Sequence, residues 1–260
     1  MKSRETQGKL WSTAPQDWAN FVEPTFIPLY RAVLEQLHLD EKTAVLDAGC
    51  GSGLFLNMVS STGAKIYGID AAPGLMELTK QRLPEGTFML EDLEELPFND
   101  NSLDIVTGFN SFQYAANKLA ALKEARRVVG KGGKIILGLW DEAKFCDASL
   151  IYSTIAGYLP PPPADAPGPF ALSAEGTIEK MSEQLQLTVI YKERVACPWL
   201  FTNLPDLFKA FMCTGPAVRA SEILGVEKVK EVIEQSSQPF RLADDIYFMN
   251  NYFNFFILKK

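Results

Sequence analysis

The sequence predicts an α/β fold in which a mostly parallel, doubly wound sheet carries helices on both faces. Three observations lead to this prediction. A strand, a glycine-rich turn and a helix start follow one another between Lys42 and Val59. A second apolar strand, Ala64 to Asp70, comes one helix later and ends in an acid. Short apolar segments then alternate with helical patterns as far as Trp140, which is typical of βαβ units.

Before the first strand, the sequence predicts one helix and little other order. Met1 to Gly8 is polar, and we expect it to be mobile. From Pro24 to Leu39, apolar residues recur at helical spacing and predict a helix. Four large aromatic residues precede this helix or lie within it: Trp11, Trp18, Phe21 and Tyr30.

The stretch Val45 to Gly53 comprises the end of the first strand, a glycine-rich turn that contains Gly49, Gly51 and Gly53, and the start of the helix. Its glycines allow positive φ angles and a close approach of the backbone to a ligand. Asp47 lies at the carboxyl end of the strand, where open α/β sheets bind ligands. This carboxylate would repel a pyrophosphate but would attract an ammonium group, and the first N–H groups of the next helix favour a carboxylate. A ligand of the methionine type has both groups.

Asp70 ends the second strand about 20 residues after the glycines, a position from which an acid usually binds a ribose hydroxyl pair. The glycine spacing is G-x-G-x-G, whereas the dinucleotide motif is G-x-G-x-x-G. Together these features favour a nucleoside ligand. The alternative is an ordinary tight turn beside a solvated Asp70.

Val45 to Gly53, followed by Ile66 to Asp70, resembles the class I S-adenosylmethionine-dependent methyltransferases. Three later segments resemble the small-molecule group around the ubiquinone/menaquinone C-methyltransferases: Glu91 to Phe98, Ser102 to Val106 and Glu124 to Gly133. The resemblance covers Thr43 to Trp140. It is specific for the cofactor and says little about the methyl acceptor. It implies a Rossmann-like sheet of seven strands, mostly parallel, with an antiparallel hairpin at one edge and a helical cap.

The resemblance also implies a set of cofactor contacts, with S-adenosylmethionine as the cofactor, S-adenosylhomocysteine as its product and no metal. Asp70 would hold the ribose, and Asp92 with Leu93 would hold the adenine. Ala71 and Met76 would lie beside the adenosine, although Met76 could equally be core. The residues expected at the methionine end and the methyl group are Asp47, Ala48, Gly49, Gly51, Gly53, Phe109 and Asn110.

No general base is evident from the sequence. Many relatives have a polar or histidine pair at the positions of Gln113 and Tyr114, and the single histidine, His38, lies at a predicted helix end. Glu23, Gln113 and Asp141 are therefore only weak catalytic candidates. Transfer to an O-, C- or N-nucleophile stays open. Two alternative functions also stay open: a cofactor-binding module without transfer activity, and an NAD(P)-dependent oxidoreductase.

We divide the chain into a helical lid (1–40), a cofactor-binding α/β core (41–142), and a region (143–260) that completes the sheet and inserts a cap over the acceptor site. Lid and substrate contacts are expected from the four aromatic residues named above and from Tyr114; the alternative is a hydrophobic flap over the sheet edge. Strands are predicted at Leu187 to Cys197 and Ile246 to Leu258. Helices are predicted at Pro205 to Met212 and Ala217 to Gln235, and a proline-rich loop at Pro160 to Pro169. Four aromatic residues of the predicted cap form either an acceptor pocket or the cap's own core: Phe201, Phe208, Phe211 and Phe240.

Composition limits the partners. The net charge is −7 and no basic cluster occurs, which disfavours a nucleic-acid substrate. No apolar run approaches the ~20 residues of a membrane-spanning helix, and the N-terminus lacks the apolar segment of a signal peptide. The four cysteines are scattered, which favours reduced thiols. We therefore expect a cytoplasmic monomer or homodimer that acts on a small-molecule methyl acceptor.

Overall fold

A computed structural model describes residues 3–161, 167–243 and 245–260. Its centre is a seven-stranded sheet with the strand order β3-β2-β1-β4-β5-β10-β6, and a smaller sheet has the order β7-β9-β8. The strands are β1 Ala44–Ala48, β2 Lys65–Asp70, β3 Thr87–Leu90, β4 Leu103–Phe109, β5 Val129–Trp140, β6 Thr188–Ala196, β7 Trp199–Phe201, β8 Arg241–Ala243, β9 Ile246–Met249 and β10 Tyr252–Lys259.

The pairing confirms the predicted sheet. Strands β1 to β5 pair in parallel, whereas β10 runs antiparallel to both of its neighbours, β5 and β6. The helices are α1 Ser3–Trp11, α2 Pro15–Asp17, α3 Ile27–Glu35, α4 Leu54–Ser60, α5 Pro73–Arg82, α6 Lys118–Val128, α7 Ala148–Ala156, α8 Thr177–Gln184, α9 Leu204–Met212, α10 Gly215–Leu224 and α11 Val226–Ser237.

Helices cover both faces of the sheet because its strands are apolar on both sides. Val45 and Leu46 are neighbours in β1, and successive side chains of a strand point to opposite faces. Val45 belongs to the apolar cluster that contains Phe55 of α4, whereas Leu46 belongs to the cluster that contains Leu122 of α6. The first cluster also takes in Val22 and residues of β10, so the leading and closing segments share a core with the central strands.

The expectation that Met1 to Gly8 is mobile is wrong for its described part, since Ser3–Trp11 is a helix. Its sequence is polar because only a narrow face is buried, and that face includes Gln7, Gly8 and Leu10. Gly8 lies close to the segment that joins β2 to α5. A Cβ atom added to Gly8 would be 2.4 Å from the carbonyl oxygen of Ala71. Tertiary contact, rather than amphipathic patterning, therefore holds this helix in place.

Three further boundaries differ from the prediction. The helix expected from Ala217 to Gln235 is two helices, because Gly225 has φ +85° and separates α10 from α11. The closing strand is also two strands in different sheets, and at the break Asn251 is buried and accepts a hydrogen bond from the Ala148 N–H (3.1 Å). The glycine-rich run Gly130 to Gly133 predicts a turn before the fifth strand, but it lies within β5, which begins at Val129.

Of the four aromatic residues expected in the cap, Phe201 and Phe211 are buried, and Phe208 and Phe240 are partly buried against the same apolar cluster. Phe201 and Phe211 are buried against Trp199, with ring centroids 6.1 and 5.5 Å from it. Of the predicted proline-rich loop, residues 162–166 lie outside the described part of the chain. Within the part that is described, no helix is both long and apolar enough to cross a membrane.

Candidate functional site

A crevice of about 650 Å³ opens where β1, β2 and β4 end. Its position agrees with the rule that open α/β sheets bind ligands outside the carboxyl ends of their strands. Eight of the predicted cofactor residues line it together: Gly49, Gly51, Asp70, Ala71, Asp92, Leu93, Phe109 and Asn110.

The glycine turn forms the floor of the crevice and is fixed to the end of β4. Gly49 has φ +87°, and a Cβ at this position would lie 2.2 Å from the Cβ of Ser111. The Ser111 hydroxyl donates a hydrogen bond to the Ala48 carbonyl oxygen (2.6 Å), which keeps the two segments in contact. Only glycine accommodates both the positive φ and the close approach. The turn therefore presents bare backbone to the crevice.

Asp70 joins the end of β2 to the glycine turn. One carboxylate oxygen accepts a hydrogen bond from the Gly51 N–H (2.9 Å), and the other accepts one from the Ala72 N–H (2.8 Å). Burial raises the pKa of Asp70 to about 6, although these backbone hydrogen bonds oppose the rise. Asp70 is thus ionised and rigidly held at neutral pH, and each oxygen keeps lone pairs for a ligand.

Asp47 lies behind the turn, outside the set of residues that line the crevice. Its side chain is buried and accepts a hydrogen bond from the Thr107 hydroxyl (2.7 Å). Burial, together with the nearby carboxylates of Glu23 and Asp70, raises its pKa from 3.8 to about 7, although the Thr107 hydrogen bond opposes the rise. The glycine turn therefore restricts the access of a ligand to Asp47, and a ligand ammonium group could contact this carboxylate directly only if that access were opened.

Asp47→Asn is expected to stabilise the protein in a pH-dependent manner. Because the pKa of Asp47 is higher in the folded state than its unfolded value of 3.8, the wild type loses stability as the pH rises from about 4 to about 7. Asparagine keeps an acceptor for Thr107 and does not ionise. The difference in the free energy of unfolding between the variant and the wild type should therefore increase by about 2–3 kcal/mol from pH 5 to pH 8, as measured by urea unfolding. Asp104→Asn, at the exposed start of β4, is the control; equal pH dependence of wild type and Asp47→Asn would contradict the prediction.

Glu23 occupies the N-terminal end of α4, where the sequence suggested that a ligand carboxylate would bind. Its carboxylate accepts hydrogen bonds from the Ser52 N–H (3.0 Å) and hydroxyl and from the Leu54 N–H (3.5 Å). Arg82 forms an ion pair with it at 3.0 Å. Burial nevertheless raises the pKa of Glu23. The helix end is therefore satisfied by the chain itself, and Glu23 is outside the residues that line the crevice.

The two other catalytic candidates also lie outside the lining of the crevice. Gln113 is fully buried and donates a hydrogen bond to the Asn110 side-chain oxygen (3.2 Å). Asp141 directly follows the carboxyl end of β5, where Arg194 pairs with it at 2.5 Å and Asn254 donates a hydrogen bond to it at 2.7 Å. It lines a separate, polar cavity. These contacts give Asp141 a structural role at the β5–β10 junction.

Three of the remaining cofactor candidates are near the crevice without lining it. Ala48 is fully buried, Gly53 has φ +81° and begins α4, and Met76 packs in the core. Leu75, the neighbour of Met76, faces the crevice instead. The alternative that Met76 is core packing therefore agrees with its position.

Three aromatic residues from different segments form one wall of the crevice. The ring of Trp11 contacts that of Trp18 at 5.0 Å and that of Tyr114 at 5.3 Å. Within the described part of the chain, the Trp18 indole N–H is buried without a hydrogen-bond partner. Phe21 and Tyr30 do not line the crevice; Tyr30 is buried against Phe109, with ring centroids 4.8 Å apart.

The sequence did not indicate several residues that line the crevice. Arg4 and Gln7 reach it from α1, and Arg4 pairs with Glu91 at 3.1 Å across the end of β3. Ser111 lines it beside Asn110. The signal for α1 was weak because the helix is polar. Ser111 could have been inferred from its place directly after a strand whose end meets the glycine turn.

Comparison with known proteins agrees with this geometry. Residues 46–137, from β1 to β5, match the methyltransferase domain family. This segment of the chain is therefore a methyltransferase domain. The match includes the glycine turn, Asp70, Asp92 and the end of β4, which are the segments that build the crevice.

The methyltransferase domain has relatives with different named acceptors. It is 36% identical to the malonyl-[acyl-carrier protein] O-methyltransferase of Serratia marcescens over 35% of this chain and 36% of that protein. It is 30% identical to the demethylmenaquinone methyltransferase of Thermotoga maritima over 36% of this chain and 42% of that protein. The chain thus spans well under half the length of these curated relatives. The second match bears out the resemblance to the quinone methyltransferases.

The fold extends beyond the methyltransferase domain. The crystal structure of geranyl diphosphate C-methyltransferase from Streptomyces coelicolor, solved with Mg²⁺, geranyl diphosphate and S-adenosylhomocysteine, aligns with a TM-score of 0.54 at 14% identity. The alignment covers 89% of this chain and 79% of that one. At this identity, the likeness shows a shared fold.

Proposed function

We propose that the protein binds S-adenosylmethionine in the crevice and transfers its methyl group to a small-molecule acceptor. The observation that carries the proposal is the convergence of a bare glycine turn and two strand-end acids on one crevice. Asp70 follows β2 and Asp92 follows β3, so both carboxylates lie at the same edge of the sheet as Gly49 and Gly51. The types of these residues, and their order along the edge of the sheet, suit a ligand in which a nucleoside is joined to an amino acid.

The residues present fit this cofactor. Asp70 would accept hydrogen bonds from the two ribose hydroxyls, since its oxygens are fixed by backbone N–H groups and retain lone pairs. Asp92 and Leu93 would meet the adenine edge, with Leu75 against the ring. Among the described residues, the Trp18 indole N–H and the Asn110 side-chain NH₂ group find no hydrogen-bond partner, and both would be donors for the methionine end. A buried donor without a partner costs about 1–3 kcal/mol, which a ligand acceptor would offset.

When bound, the cofactor supplies an activated methyl group, whose C–S bonding pair returns to sulfur as the acceptor's lone pair forms the new bond. The protein's contribution is then to align the acceptor and to exclude water. Orientation of this kind can account for about 7–11 kcal/mol of a barrier. The wall formed by Trp11, Trp18 and Tyr114 closes one side of the crevice for this purpose. Burial raises the pKa of Tyr114, so its hydroxyl stays neutral and can serve as a hydrogen-bond donor.

The deciding experiment combines binding with turnover. Calorimetric titration with S-adenosylhomocysteine should show one site, and titration with NAD⁺ should show no binding. Labelled S-adenosylmethionine is then offered with a panel of phenols, carboxylic acids, quinols and amines. Methylated product supports the proposal, whereas binding of NAD⁺ in place of S-adenosylhomocysteine would exclude it. The panel begins with the acceptors in the names of two relatives, malonyl-[acyl-carrier protein] and demethylmenaquinone.

A binding module without transfer activity is the second candidate. The observation that favours it is that Glu23, Gln113 and Asp141 all lie outside the crevice lining, which leaves the methyl end without the proposed acid–base groups. Stoichiometric binding of S-adenosylhomocysteine with no product across the whole panel would support this candidate.

Residues 1–40 are proposed to act as a lid, and Gly8→Ala tests this role. The added methyl group would lie 2.4 Å from the Ala71 carbonyl oxygen, so α1 must move away from a residue that lines the crevice. Affinity for S-adenosylhomocysteine should fall roughly threefold to tenfold. Global stability should change less, because alanine is favoured over glycine in a helix by about 0.5–1 kcal/mol. Glu5→Ala, on the exposed face of α1, is the control, and unchanged affinity in Gly8→Ala would argue against a lid.

A further inference from the structure

A second cavity, of about 940 Å³, adjoins the crevice on the far side of its aromatic wall. Gln7 and Tyr114 line both spaces, and Trp11 lines the crevice beside them. Trp11 packs against Gly215 of α10, which also lines the second cavity; a Cβ on Gly215 would lie 3.2 Å from the indole ring. The two spaces therefore meet beside Gln7 and Tyr114.

The second cavity is mainly apolar. Helix α7 contributes Tyr152, Ile155 and Ala156, and α1 contributes Leu10. Described proline residues on either side of 162–166 line its mouth. A pocket with this lining binds a ligand chiefly through apolar contact and orients it by a few polar groups.

Arg219 is the charged residue among those that line this cavity. It lies on α10 and is half-buried. Within the described part of the chain it donates a long hydrogen bond, 3.4 Å, to the Pro161 carbonyl oxygen. Across the described ranges, no ion pair of Arg219 with an acid is found. A guanidinium in this setting can bind a carboxylate through two parallel hydrogen bonds.

We propose that this cavity holds the methyl acceptor, and that the acceptor is an apolar small molecule carrying a carboxylate that pairs with Arg219. This inference rests on the proposed function. The apolar body would fill the space between α7 and α10, and its reactive end would approach the crevice past Tyr114. The Tyr114 hydroxyl, which stays protonated, would donate a hydrogen bond to that end.

The test uses two probes of the same shape, 2-naphthoate and the neutral 2-naphthamide, with the full-length protein saturated with S-adenosylhomocysteine. Calorimetry should show that the wild type binds 2-naphthoate roughly tenfold or more tightly than 2-naphthamide, because a charge-assisted pair forms only with the acid. Arg219→Gln should abolish this preference, and Arg219→Lys should retain part of it. Ala156→Trp, which fills the cavity from the exposed end of α7, should weaken both probes.

Each alternative outcome has a defined meaning. Equal binding of the two probes by the wild type, binding of neither, or a preference that survives in Arg219→Gln would overturn the proposal. Unchanged binding in Ala156→Trp would place the probes elsewhere and would overturn it as well. S-adenosylhomocysteine affinity is measured in every variant: if it is intact, a negative result concerns only the acceptor cavity, and if the wild type lacks it, the proposed function itself fails.

Discussion

Asp70→Asn is expected to weaken S-adenosylhomocysteine binding by roughly 100-fold or more. The change keeps the side-chain shape and one acceptor oxygen, but it removes the charge that two ribose hydroxyls would meet. Hydrogen bonds to a charged group contribute about 1.5–3 kcal/mol each, and 1.4 kcal/mol corresponds to a tenfold change in affinity. Isothermal titration calorimetry at pH 7.5 measures the effect directly.

The same residue predicts a pH dependence. Its pKa is about 6 in the ligand-free protein, so protonation below this pH should lower the affinity of the wild type, by up to about tenfold per pH unit. Asp70→Asn should lack this dependence. Asp104→Asn is the matched control, because Asp104 also accepts a backbone hydrogen bond (from Ala44, 2.8 Å) but lies at the opposite end of the sheet. If Asp70→Asn bound the ligand as tightly as the wild type, Asp70 would have no part in the site.

Gly49→Ala should cause the second large effect. Its new Cβ would lie 2.2 Å from the Cβ of Ser111, and residue 49 would keep a positive φ of 87°. The turn would have to separate from the end of β4, which disrupts the floor of the crevice. We expect S-adenosylhomocysteine affinity to fall at least tenfold and the free energy of unfolding to decrease by about 2–4 kcal/mol, from strain and overpacking together.

Gly132→Ala provides the matched control for Gly49→Ala. Gly132 has φ +80°, but apart from its chain neighbours no described residue comes within 4 Å of where its Cβ would be. This variant carries the backbone strain without the collision, so it should lose only about 1–2 kcal/mol of stability and should bind the ligand normally. A similar loss of affinity in both variants would show that strain, and not contact with Ser111, controls the site.

The central part of the fold was predictable because local signals and tertiary structure agree there. In β1 and β4, runs of apolar residues between turn signals reflect burial on both faces, and the glycines after β1 mark a turn that only glycine can form. The positions of Asp70 and Asp92 followed from the ends of predicted strands. Parallel strands bring such residues to one edge of the sheet whatever the details of the intervening helices.

Other features depend on contacts between distant segments and leave little trace in the sequence. Glu23 reaches the N-terminal end of α4, 29 residues away, and no motif links the two. Helix α1 is polar, since it is held by a close approach to Ala71 and not by an apolar stripe. The break at Gly225 was missed because glycine is also tolerated inside helices at a modest cost. Asn251, at the break before β10, could have been recognised as a polar interruption of an otherwise alternating pattern.

The position of β10 between β5 and β6 has a consequence for biosynthesis. During translation, β5 and β6 emerge well before β10, and neither can complete its hydrogen bonding until that last strand inserts between them. The nascent polypeptide therefore carries unpaired edges on β5 and β6 for the time needed to make about 60 residues after β6, or roughly 3–12 seconds at ordinary elongation rates. Unpaired strand edges can pair with other chains and cause aggregation. Expression at reduced temperature or with chaperone support should therefore raise the soluble yield.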